Sequence, residues 1–169
     1  MKKLFIALSY IVLLAACGTK STETQFEKHG VSFTCPADWE ITDENNDFDC
    51  FYTTIEKQGT AGNGMVTVTW IFDDIDQEDY INMYIEWLKE TEGLTKLVIT
   101  HIPDASFGKY ESIALRYTMN FMSIPYHGEV HTFKTGGKAI IINTQGRVKY
   151  TAENAEGFRI IEESFSVAE

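Results

Sequence analysis

The strongest constraint in this chain is a strict alternation. Ile113, Leu115, Tyr117, Met119 and Phe121 alternate with Ala114, Arg116, Thr118 and Asn120. Successive side chains of a strand point to opposite faces, so one face lies in a core and the other is wet or lightly covered. Shorter segments repeat the pattern. Val31, Phe33 and Cys35 mark a half-buried strand that Pro36 ends, because proline donates no ladder hydrogen bond. Trp39 and Ile41 begin a short second strand. Residues 50–57 and 65–72 are strand-like, the latter rich enough in β-branched and aromatic types to be buried on both faces. Glycines 59, 62 and 64 turn the chain between them. They lack the Lys-Ser/Thr and helix start of a phosphate loop, so they mark a hairpin.

The period then changes. Residues 76–90 place Ile81, Tyr84, Ile85 and Leu88 at helical spacing, with Tyr80, Met83 and Trp87 widening the stripe on one side. Asp74 or Asp76 can cap this helix. Glu78 and Asp79 favour its positive end, and Gly93 stops it. Strands resume near Leu97–Ile102, then at Ile113–Phe121. A turn is expected near Pro125–Gly128. Residues 129–135 and 138–144 flank Gly136-Gly137, a tight hairpin signal. Thr151 is expected to cap a terminal helix with Ala155, Phe158, Ile161 and Phe165 on its apolar face. The order βββ(β)–α–ββββ–α predicts an α+β domain: a twisted, mostly antiparallel sheet with two helices packed on it.

The chain's start reads differently. Lys2 and Lys3 precede an apolar run, Leu4 to Ala16, too short for a bilayer, which takes about 20 apolar residues. It has the form of a secretory signal. Leu14-Ala15-Ala16-Cys17 resembles the bacterial lipoprotein box. That resemblance implies a signal peptide over residues 1–16 and a diacylglycerol on Cys17. An ordinary signal peptide cleaved after the alanines is the alternative. Residues 17–25 then form the lipidated cysteine and a polar, flexible tether, leaving residues 26–169 as one globular domain. Gly18 follows the cysteine rather than Asp, which by resemblance favours the outer membrane, with the domain facing the periplasm. In a Gram-positive cell the anchor would be the cell membrane.

The 25 acidic residues outweigh 14 basic ones, for a formal charge of −11. That balance excludes a nucleic-acid partner, which needs Lys/Arg patches. In an oxidising compartment Cys35 and Cys50 are expected to pair as a disulfide, with two buried thiols as the alternative. Asp43, Asn45, Asp47 and Asp49 lie in an acidic loop whose Asp-x-Asn-x-Asp matches the first three ligand positions of a calcium loop, but Phe48 and Thr54 stand where its Gly and Glu belong. They remain candidates only for a looser site beside a solvated acidic loop, Thr42–Asp49. His127 and His131 lie four apart on an expected strand, about 13 Å, too far to share an ion without a turn. No cofactor is implied.

The segment Phe26 to Ile41 resembles the opening of the PsbP-like family, in Phe26, Gly30, Val31, Phe33, Pro36, Trp39 and Ile41. The later order of hairpin, amphipathic helix, meander and terminal helix is similar as far as residue 167. The resemblance implies an α/β/α sandwich and a role in binding or assembling other proteins, without a shared catalytic motif. The expectation is therefore a non-enzymatic cell-envelope lipoprotein that binds or assists another envelope protein, with Tyr80, Met83 and Trp87 as its partner patch. The alternative is a periplasmic lipoprotein that binds a ligand or calcium. A third reading, an unrecognised hydrolase, would show a pocket where a histidine, a carboxylate and a nucleophile converge.

Overall fold

The computed structural model describes residues 22–47, 49–59 and 64–168. Strands β3 (Trp39–Asp47), β4 (Cys50–Lys57), β5 (Met65–Ile71), β6 (Leu94–Ile102), β9 (Ile113–Phe121), β10 (Ile124–Thr135) and β11 (Lys138–Arg147) form a seven-stranded sheet in the order β3-β4-β5-β11-β10-β9-β6. Every pairing in it is antiparallel. A smaller sheet joins β1 (Thr24–Lys28), β2 (Val31–Cys35) and β12 (Ser166–Val167), and β7 (Ser106–Phe107) pairs with β8 (Tyr110–Glu111). Helix α1 (Gln77–Glu90) covers one face of the large sheet, and α2 (Thr151–Ser164) lies on the other side with β2. This is the mostly antiparallel α+β layering expected.

Two cores result. On the α1 side, Ile81 and Leu88 pack with Leu115, Tyr117, Met119, Val130 and Ile141. The alternation of β9 thus delivers its large residues to α1. On the α2 side, Phe26, Val31, Phe33, Trp39, Val66, Val68, Trp70, Phe133, Ile140, Ile142, Ile161 and Phe165 form the larger cluster. Val66, Val68 and Trp70 are buried there, while the alternate residues of β5 are only half-buried, so that strand is not buried on both faces.

Several expectations shift. The acidic stretch continues β3 as far as Asp47, because an edge strand with wet faces tolerates polar residues. Thr24 and Gln25, read as tether, pair with Cys35 and Thr34. The turn expected near Pro125–Gly128 falls earlier. Met122 and Ser123 make it, both at positive φ, and Phe121 pairs with Ile124. In α2 the buried residues are Asn154, Gly157 and Ile161, while Ala155 is exposed. Tyr150, not Thr151, is the N-cap, following a 3₁₀ turn over Val148–Tyr150. Gly136-Gly137 does turn a two-residue hairpin, with φ of 54° and 69°.

Candidate functional site

Helix α1 is fixed at its start by Asp76, whose carboxylate accepts from the backbone N–H of Glu78 at 2.9 Å and of Asp79 at 3.1 Å. That cap sets the helix phase. Ile81 and Leu88 point into the sheet and are 2% and 1% exposed. Met83 and Trp87, four apart, point outward at 61% and 57%. Their neighbour Tyr84 bridges the two environments. Its ring lies 5.4 Å from that of Trp87, and its hydroxyl is 3.5 Å from that of Tyr117, which in turn lies near Asn143 Oδ1 and Gln145 Oε1. Burial pushes the Tyr84 hydroxyl up to about 12. Tyr80 is half-buried, and burial, then the nearby Cys50, raise its hydroxyl pKa. The patch expected at Tyr80, Met83 and Trp87 is therefore split. Met83 and Trp87 form an exposed apolar pair, and Tyr80 belongs to the helix–sheet contact.

The opposite face holds a second grouping. His127, Glu129 and His131 alternate along β10 and so share one face. With Phe107, Thr144, Phe158 and Glu162 they line a cleft of about 170 Å³ beside α2. His127 Nε2 lies 3.0 Å from Thr151 Oγ1, and burial is the main cause of its lowered pKa. Glu129 accepts from Arg116 at 2.6 Å and lies 3.4 Å from His131 Nε2. Those bonds, the one from His131 first, hold its carboxyl below the usual range. His131 Nδ1 lies 3.0 Å from Ser112 Oγ. A histidine, a carboxylate and a hydroxyl thus meet, though Ser112 is not among the residues lining the cleft. The His-x-Glu-x-His alternation of residues 127–131 is the sequence signal for this grouping.

Cys35 and Cys50 are not joined. Cys35 Sγ donates to the carbonyl of Trp39, at the first residue of β3, while Cys50 pairs with Asp47 at its far end. Those ends are roughly 26 Å apart along a strand, whereas a disulfide needs Cα atoms within about 7 Å. The cysteines also serve different cores: Cys35 lies in the α2-side cluster and Cys50 beside Tyr80 of α1. Two of the calcium candidates, Asp43 and Asn45, both reach the Tyr52 hydroxyl. Asp43 accepts from the Tyr52 hydroxyl at 2.9 Å, Asn45 Oδ1 accepts from the backbone N–H of Asn46, and Asp49 follows β3. The Asp47 side chain lies outside the described residues, as does Cys17. Among the described residues no three His, Cys, Asp or Glu side chains are placed to hold a metal ion. No helix there is long and apolar enough to cross a membrane.

The sequence matches no protein-family model and no curated protein. Its fold does have solved counterparts. The PsbP of Synechocystis sp. PCC 6803 aligns at 12% identity and a TM-score of 0.54, covering 92% of this chain and 99% of that one. The Ran-binding protein Mog1p of Saccharomyces cerevisiae aligns at 11% and 0.51, covering 86% and 95%. LpqN of Mycobacterium tuberculosis, described as involved in cell envelope biogenesis, aligns at 14% and 0.47, covering 87% and 91%. The chain has the PsbP/Mog1-like α+β fold.

Proposed function

We propose that this chain is a non-enzymatic lipoprotein of the cell envelope, anchored through Cys17, that binds or assists another envelope protein. The observation that carries the binding role is the outward pair Met83 and Trp87 on a helix whose phase is fixed by its cap and its buried stripe. Exposed aromatic and Met side chains of this kind are enriched at protein interfaces. The basic start, apolar run and Leu-Ala-Ala-Cys segment support the anchor, and Gly18 supports the outer membrane facing the periplasm. The test is in-cell photocrosslinking from Met83 replaced by a benzophenone amino acid. One discrete crosslinked partner, lost with Trp87→Glu, is expected. The same adducts from an exposed position away from α1's outer face, such as Phe72, would sink the reading.

The Ser112–His131–Glu129 grouping favours a second reading, a serine hydrolase. A fluorophosphonate probe would then label Ser112, and labelling that survives Ser112→Ala, or is absent, discards it.

A further inference from the structure

We infer that the end of the domain where the chain enters rests on the lipid bilayer, with the turn Met122–Ile124 seated in its interfacial layer. This rests on the lipid anchor at Cys17 proposed above. The strand register defines the two ends. Thr24 pairs with Cys35, whose thiol bonds the carbonyl of Trp39, the first residue of β3. Trp39 pairs with Lys57, and the same end of the sheet carries Met65, Gln145, Tyr126 and the β9–β10 turn. From Cys17 to Thr24 the chain reaches at most about 25 Å. A lipid on Cys17 therefore holds this end within about 25 Å of the membrane.

That end is apolar at its tip. Met122 is 72% exposed, Ile124 37% and Val148, just past β11, 47%. The turn also breaks local preference. Met122 and Ser123 sit at φ of 48° and 68°, where a two-residue hairpin ordinarily uses Asn-Gly. The Met122 N–H donates to the Gly93 carbonyl at 3.1 Å, which fixes this turn while leaving the methionine side chain exposed. In sign the near end is nearly balanced, with Lys57, Lys96, Arg147 and Lys149 against Asp38, Glu40, Glu56, Glu92 and Glu153. The far end is the more acidic, through Asp49, Asp73, Asp74, Asp76 and Glu78 against Lys134 and Lys138, and anionic headgroups disfavour it. Its exposed large apolar residue is Phe72, whose ring lies 5.3 Å from the Lys138 ammonium. With the tip down, the acidic end points away from the bilayer and the outer face of α1, with Met83 and Trp87, is presented sideways to a partner.

Trp39 and Trp70 are buried, so Trp87→Phe removes the exposed indole and leaves two indoles whose emission neither quencher reaches, a constant background for a reporter. In that background Ile124→Trp marks the tip and Phe72→Trp the far end. The full lipidated chain is reconstituted in vesicles of phosphatidylethanolamine and phosphatidylglycerol whose acyl chains carry bromine near the headgroup. The tip indole is expected to be quenched about twofold or more over the far-end indole, because interfacial apolar groups sit several Å below the headgroups. Aqueous iodide should give the reverse order. Equal bromine quenching, with Cys17 shown by mass to be acylated, overturns the tip contact alone. A Cys17 peptide without acyl chains overturns the contact and the anchor together.

Discussion

Trp39 lies against Gly157, and a Cβ added to that glycine would come under 3.0 Å from the indole Nε1, Cε2 and Cζ2. The indole is 4% exposed and also meets the Phe158 ring edge-on at 5.4 Å. Gly157 is thus where α2 approaches the start of β3 closely enough to seal the larger core. Gly157→Ala is expected to destabilise by about 1–3 kcal/mol, since overpacking a closed contact forces side chains off their rotamers. Thermal unfolding measures this. Trp39→Phe, which shrinks the ring, should recover part of the loss, and a double variant no better than Gly157→Ala would sink the packing account.

That contact illustrates what the sequence made legible. Trp39 was visible as part of a short alternating strand, but its partner was not, because a helical glycine has no periodic signature. Leu115, Tyr117 and Met119 announced the α1-side core through strict alternation, and Ile81 and Leu88 announced the helix that covers it. The polar residues of β3 hid a strand, since an edge strand wet on both faces carries no hydrophobic period. The short β1 and β12 form only against β2, and their register depends on tertiary contact. The turn at Met122-Ser123 uses residues that turns rarely use. His127 and His131 carry no periodic sign of burial in the sequence, and only the folded domain encloses them beside Phe107 and Phe158.

Tyr80 and Trp87 should separate in a stability series. Trp87→Ala removes an exposed ring and is expected to change stability by less than about 0.5 kcal/mol. Tyr80→Ala should cost about 1–3 kcal/mol, because its ring fills part of the helix–sheet contact. Leu88→Ala, fully buried, sets the upper limit at about 2–5 kcal/mol. Chemical denaturation of the three variants checks the order. A large loss from Trp87→Ala would return that residue to the core and remove it from any partner surface.

Cys35 and Cys50 sit at opposite ends of β3 and serve opposite cores, so reduction has no cross-link to break between them. The melting temperature of purified protein should therefore be the same with and without dithiothreitol. Non-reducing and reducing gels should also agree. A loop of this length, if bridged, would be worth roughly 3 kcal/mol, so a drop of several degrees on reduction would contradict the geometry. Burial also raises the Cys35 thiol pKa, so its alkylation should be slow in the native state and fast after unfolding.

Acid should destabilise the fold in two stages, both on the β10 cleft. Burial lowers the pKa of His127 from its ordinary 6.5, with Arg116 helping and Glu129 opposing. The folded state then binds fewer protons than the unfolded one. The stability from neutral His127 is complete above 6.5 and is lost as pH falls toward the folded value. Glu129 is depressed from 4.5, first by His131 and then by Arg116. Its contribution is present above 4.5 and disappears as pH falls through its folded value. His127→Gln should flatten the first descent and leave the second. Glu129→Gln should flatten the second, at a constant cost at neutral pH, where Arg116 loses its carboxylate. Melting curves across this range decide the matter: a wild-type profile level from 6.5 down past 4.5 would show that neither bond network carries stability.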